Sequence, residues 1–128
     1  MEIKTVLITQ ARTGSTRLPG KVLMEINNMS LLRIHLDRLS QSKNIDKIIV
    51  ATTANEEDDI IEKIGTAWGY EVYRGSENDV LDRFYKAVQN IKPTWVVRVT
   101  SDCPLIDPLL VDKVIEITQA ENKDYGSN

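Results

Sequence analysis

Short apolar, β-branched runs alternate along this chain with amphipathic stretches, and the alternation repeats four times. Thr5–Thr9 (TVLIT) reads as a buried strand. Ser30 is placed to cap a helix running from Leu31 to about Gln41, with Leu32, Leu36 and Leu39 on one face. A second strand lies within Ile45–Thr53. Asn55 then stands as the cap of a helix that opens on Glu56, Glu57, Asp58 and Asp59, acids suited to a helix N-terminus, and that stops near Gly69. Glu71–Arg74 is a short third strand. Asn78 or Asp79 begins a helix through about Asn90 that turns Val80, Leu81, Phe84 and Val88 inward. Pro93 closes the linker before a fourth strand, Trp95–Val99. Asp107 and Pro108 open a last helix, whose inner face is expected to carry Leu110, Val114 and Ile117.

Strand–helix alternation of this kind predicts parallel strands joined by right-handed helical crossovers. The fold class is therefore α/β, a Rossmann-like three-layer sandwich with a mostly parallel sheet. No repeat, low-complexity tract or linker divides residues 1–128, which read as one nucleotide-binding domain. Open sheets of this type bind ligands at the carboxyl ends of their strands. The segments past those ends are Gln10–Lys21, Thr52–Glu56, Arg74–Asp79 and Thr100–Asp107, and they hold most of the unusual residues.

Composition sharpens this picture in one place. The 128 residues are 41% hydrophobic and 27% charged, an ordinary globular mix, and the net charge of −3 recommends neither nucleic acid nor an anionic membrane as partner. Yet Thr5–Met24 contains no acid while holding Arg12, Arg17 and Lys21. An acidic protein with one cation-only window is expected to use that window on an anion. A single cysteine, Cys103, excludes an internal disulfide, and the apolar run Val6–Ile8 is too short for a signal-peptide core or a membrane span. Cytoplasm is the expected compartment.

The window reads Gln10-Ala-Arg-Thr-Gly-Ser-Thr-Arg-Leu-Pro-Gly-Lys21. Gly14 permits positive φ and close approach of backbone N–H groups to a ligand. Thr13, Ser15 and Thr16 add hydroxyl donors without bulk, while Arg12 and Lys21 supply charge. The whole suggests a triphosphate cradle; a Gly/Pro surface turn is the alternative. A Walker A loop is excluded, because five residues separate Gly14 from Gly20 and Val22 follows Lys21. The GxGxxG dinucleotide fingerprint is absent too.

Gln10–Leu23 (QARTGSTRLPGKVL) resembles the opening signature of the cytidylyltransferases that make CMP-activated acidic sugars, and most of all their spore-coat polysaccharide branch. Ile49–Thr53, Tyr73–Phe84 (YRGSENDVLDRF) and Val97–Pro108 (VRVTSDCPLIDP) are similar to further blocks of that branch, in the same order. The resemblance implies a fold of the nucleotide-diphospho-sugar transferase type and the N-terminal part of a longer family domain. It also implies a reaction in which a sugar oxygen attacks the α-phosphate of CTP and releases pyrophosphate, for surface polysaccharide biosynthesis. Gln10, Ala11, Arg12, Thr13, Gly14, Ser15 and Lys21 would bind the triphosphate. Arg12 and Lys21 would neutralise its charge. Ala51 and Thr52, at the end of the second strand, are placed to pack under the base. Arg74, Ser76 and Asp79 fall on the base-recognition segment, although helix capping accounts equally well for Asp79. Asp102 falls on the position of a metal-ligating acid for Mg²⁺ or Mn²⁺, and read alone it is equally a turn-forming residue.

Some residues are expected to stay outside the chemistry. Asp107 is read as a helix cap, Cys103 as packed, and His35, the lone histidine, as a helix-surface residue. Asp82 and Arg83 are either a structural pair or ligand contacts. Arg98, set among valines, is expected to need a buried partner. The family's members run on past the length of this chain, so the resemblance implies CTP binding with little transfer by these residues alone, and a homodimer for the full-length protein. Two alternatives are carried: a nucleotide-binding module without catalysis, and a nucleotide-sugar glycosyltransferase. The latter is expected to show an Asp-x-Asp triplet, which does not occur.

Overall fold

The computed structural model describes residues 4–14, 20–75, 85–100 and 106–120. The main elements are β1 (Thr5–Gln10), β2 (Glu25–Ile26), β3 (Met29–Ser30), α1 (Leu31–Leu39), β4 (Lys47–Thr53), α2 (Asp59–Ala67) and β5 (Glu71–Gly75). They continue with α3, a helical stretch over residues 85–88, then β6 (Trp95–Thr100) and α4 (Pro108–Ala120). Four strands form one parallel sheet in the order β5-β4-β1-β6. The expected α/β architecture is present. No helix among the described residues is long and apolar enough to cross a membrane.

The two central strands are apolar on both faces, as a covered parallel sheet requires. Leu7 joins Leu39, Val111 and Ile115 on one face, and Val50 joins Ala11, Leu32, Leu36 and Ile61. On the other face Val6, Ile8, Ile49 and Ala51 pack with Tyr73, Ala87, Val88 and Ile91. Helices α1, α2 and α4 thus cover one side of the sheet and α3 the other.

Helix ends follow local chemistry. Ser30 Oγ accepts the Arg33 N–H at 3.1 Å, and Asp107 Oδ1 accepts the Leu109 N–H at 2.9 Å, both as the sequence predicts. Gly69, at φ 90°, ends the α2 segment. Asn55 takes the extended cap conformation, but its side chain makes no capping bond; a 3-10 turn over Glu56–Asp58 intervenes before α2. The β2–β3 hairpin was not anticipated. Asn27 and Asn28 form its turn at φ 53° and 68°, a left-handed geometry that Asn tolerates better than most residues.

Three expectations need correction. His35 is fully buried rather than on the helix surface, because α1 lies flat on the sheet and the Thr9 hydroxyl shares a hydrogen bond with its ring. Arg98 is exposed rather than buried: among the described residues β6 lies at the edge of the sheet, and Arg98 alternates with Val97 and Val99, which pack toward α4. In α4 the inner face carries Val111 and Ile115, while Leu110 and Ile117 are 42% and 49% exposed. Apolar residues occupy most of that helix, so periodicity alone does not select its buried stripe. The Asp112 carboxylate selects it: it accepts from the Ser42 hydroxyl and from the N–H groups of Lys43 and Asn44, both at 2.9 Å.

Candidate functional site

Parallel pairing aligns the ends of the four strands. Gln10 is the register partner of Ala51 and Thr100, Thr52 of Arg74, and Thr53 of Gly75. Every loop singled out in the sequence therefore leaves the same edge of the sheet. Asp102 follows Thr100 by two positions. Ser15, Ser76, Asp79, Asp102 and Cys103 lie outside the described residues, and Lys21 is described in its backbone.

The first loop is anchored at both ends. The Ala11 N–H extends the sheet ladder to the Ala51 carbonyl at 2.9 Å, and the Ala11 methyl is buried in the core beneath the loop. Arg12 is half-buried at the exit of β1. Thr13, expected to offer its hydroxyl to a ligand, turns its donors inward instead. Its N–H donates to Asp58 Oδ1 at 2.8 Å, and its hydroxyl reaches the same oxygen at 2.9 Å and the Glu57 carbonyl at 3.1 Å. The Thr13 carbonyl accepts the Gly20 N–H at 2.8 Å. Residues 14 to 19 are thus bracketed by one hydrogen-bonded neck, after which Lys21–Leu23 form a 3-10 turn and Val22 returns to the core.

The glycines divide their work differently from the sequence reading. Left-handed φ belongs to Gly20, at 74°, rather than to Gly14. Gly14 provides closeness: a Cβ built there would lie 2.6 Å from Glu57 Oε1. An acidic oxygen already rests against the backbone at the point where a small residue was expected to admit one.

The third loop begins with Arg74, whose guanidinium is engaged by the protein. Nε donates to the Thr53 carbonyl at 2.8 Å, Nη2 donates to the Asn55 carbonyl at 2.6 Å, and Nη1 pairs with Asp59 at 2.6 Å. This fork ties the end of β5 to the end of β4 and the start of α2. Thr52, between them, is fully buried, and its hydroxyl has no hydrogen-bond partner among the described residues. A buried hydroxyl without a partner is uncommon, and this one stands one residue from the carboxyl end of β4.

Sequence reasoning missed Asp58. It is one of four consecutive acids, and only the fold distinguishes the one that is buried. Glu56, Glu57 and Asp59 are exposed; Asp58 has no exposed surface and also accepts from the Thr53 hydroxyl.

Residues 6–128 match the sequence profile of the family described as Cytidylyltransferase. The chain belongs to the cytidylyltransferase family. The chain is 44% identical to spore coat polysaccharide biosynthesis protein SpsF of Bacillus subtilis, over 94% of its own length and 52% of that protein's. A solved cytidylyltransferase from Leptospira borgpetersenii superposes with a TM-score of 0.87 at 37% identity, covering 93% of this chain and 50% of that one. The solved CMP:2-keto-3-deoxy-manno-octonic acid synthetase, complexed with CTP, superposes with a TM-score of 0.80 at 25% identity, covering 93% and 48% respectively. The chain spans about half the length of the curated relatives it matches. Among the described residues no group of three or more His, Cys, Asp or Glu side chains is disposed to hold a metal ion, and Asp102 lies outside them.

Proposed function

We propose that this chain binds CTP at the carboxyl edge of its sheet and serves a transferase that joins CMP to a sugar for surface polysaccharide synthesis. The observation that carries the reading is the neck at Thr13 and Gly20. It closes the two ends of a sequence rich in small donors and cations just past β1, on the edge of the sheet where β4, β5 and β6 also end. The CTP carried by the related synthetase of known structure supports the choice of nucleotide.

In this reading Gln10, Gly14 and Ser15 offer donors to the phosphates, and Arg12 and Lys21 neutralise their charge. Thr52 lies under the nucleoside, and Ser76 and Asp79 meet the base. Arg74 shapes the base loop through its bonds to Thr53 and Asn55. A sugar oxygen attacks the α-phosphorus, forming the sugar–phosphate bond while the bond to the β-phosphate oxygen breaks; pyrophosphate departs and the sugar hydroxyl proton passes to solvent. Positioning and charge neutralisation supply the rate, as in other phosphoryl transfers. Asp102 would hold Mg²⁺ or Mn²⁺, a hard cation that prefers oxygen ligands shared with phosphates and withdraws charge from them.

A nucleotide panel tests the proposal. Thermal unfolding is followed with CTP, UTP, ATP and GTP, with and without Mg²⁺. CTP with Mg²⁺ is expected to raise stability most, by about 2.7 kcal/mol at a hundred times its Kd. Arg12→Ala should remove most of that gain, and Asp102→Asn mainly its Mg²⁺ dependence. Equal shifts with all four nucleotides, or none with any, would overturn the reading.

A further inference from the structure

We infer that Asp58 is a positioning residue for the phosphate loop, acting on bound nucleotide through Thr13. The inference rests on the CTP-binding reading above. Burying a carboxylate is costly, and among the described residues no cation pairs with Asp58. Among the described residues its carboxylate accepts from three donors: the Thr13 N–H, the Thr13 hydroxyl and the Thr53 hydroxyl.

Those donors lie on two strand exits. Thr53 is the last residue of β4, and Thr13 stands three residues past the end of β1. Asp58 itself begins the step into α2, yet its side chain makes no capping bond there. The carboxylate has forgone the local role that its position invites and joins two separate loops instead. Its partner Thr13 also accepts the Gly20 N–H at 2.8 Å, so the charge sits at the root of the neck that brackets residues 14 to 19. Whatever tilts Thr13 tilts both ends of the loop at once.

The test uses the full chain and two readouts: affinity for CTP with Mg²⁺, and amide hydrogen exchange at Thr13 and Gly20. Asp58→Ala is expected to weaken CTP binding by about ten- to a hundredfold and to speed exchange at both amides. Asp58→Asn, which keeps one acceptor oxygen for Thr13, should recover a large part of both. Asp112→Ala is the control for simple destabilisation, because it breaks another buried carboxylate tie, between α4 and residues 42–44; it should leave CTP affinity within twofold. Should Asp58→Ala fail to fold, Thr13→Val removes the hydroxyl's contacts with Asp58 and the Glu57 carbonyl while keeping the N–H bond to Asp58, and a severalfold loss of affinity is expected. Asp58→Ala binding CTP as tightly as the parent, or Asp112→Ala weakening it equally, overturns the inference. If the parent chain binds no nucleotide, the CTP reading fails by itself, and unchanged exchange at Gly20 in Asp58→Ala then sinks the neck as well.

Discussion

Thr9 and His35 are joined side chain to side chain inside the protein: the Thr9 hydroxyl and His35 Nε2 lie 2.8 Å apart, and neither residue has exposed surface. The bond fastens α1 to β1 one residue before the strand ends, directly behind the start of the loop proposed to receive phosphates. Helix α1 is otherwise held to the sheet by leucines, which grip without direction. A polar pair among them fixes where along β1 the helix sits.

Removing the imidazole leaves a void and takes one partner from the Thr9 hydroxyl. His35→Ala should therefore cost about 3 kcal/mol of unfolding free energy. Thr9→Val, which keeps volume and deletes one partner, should cost about 1 kcal/mol. In the double variant the losses should fall short of their sum, since the second deletion removes a group already without this partner. Denaturant titration of the three variants checks this; strict additivity would show that the contact contributes nothing.

Asp112 makes the stability of the chain depend on acid. Burial alone would push its carboxyl up, but the Ser42 hydroxyl and the amides of Lys43 and Asn44 outweigh that and hold it below the usual carboxylate range. The folded protein thus keeps this group ionised at a pH where the unfolded chain has begun to take up the proton. Its contribution is complete above the ordinary value of about 3.9 and is lost as pH falls through the lowered folded value. Asp112→Ala should cost about 2 kcal/mol near neutrality, where hydrogen bonds to a charged acceptor are broken. The gap between variant and parent should narrow below about pH 4. Unfolding midpoints measured from pH 7 to pH 2 would expose a constant gap, which the hydrogen bonding at Asp112 does not allow.

The fold was legible in the sequence because its strands are continuous β-branched runs between helices with clear punctuation. Ser30, Gly69 and Asp107 each perform the capping or stopping role that their chemistry announces. What stayed hidden depends on contacts distant along the chain. Helix α4 is apolar around most of its circumference, and a bond between residues 70 positions apart, Ser42 and Asp112, decides which side is buried. Arg74 looks like a ligand-facing cation in sequence; three neighbours from two other elements claim its guanidinium. At the candidate site, the composition of the loop was readable, but the identity of its anchor was not, because Asp58 sits among three exposed acids of the same charge.

Two turns adopt left-handed backbone with opposite suitability. Asn28, at φ 68° in the β2–β3 hairpin, holds a position where glycine is free of side-chain strain. Asn28→Gly is expected to stabilise the protein by a few tenths of a kcal/mol, because relief of strain narrowly exceeds the added freedom of the unfolded chain. Gly20, at φ 74°, has open space around a built Cβ, so Gly20→Ala meets no clash and loses only backbone comfort, about 1–2 kcal/mol. Calorimetry should separate the pair by several degrees, with Asn28→Gly above the parent and Gly20→Ala below it.

Glu57 offers the most direct electrostatic lever on the candidate site. Its Oε1 lies 2.6 Å from the position of a Cβ on Gly14, so an exposed negative charge rests against the loop proposed to receive phosphates. Two unit charges about 6 Å apart in water repel by roughly 0.7 kcal/mol, and a triphosphate carries more than one. Glu57→Gln keeps the size of the side chain and removes its charge, and should tighten CTP binding about three- to tenfold at low salt. Screening shortens the reach of the repulsion, so the advantage should shrink as ionic strength rises. A salt series of binding titrations distinguishes this from a packing effect, which would be indifferent to salt. An unchanged affinity at low salt would mean that phosphate does not approach Gly14, and the loop's part in nucleotide binding would have to be reassigned.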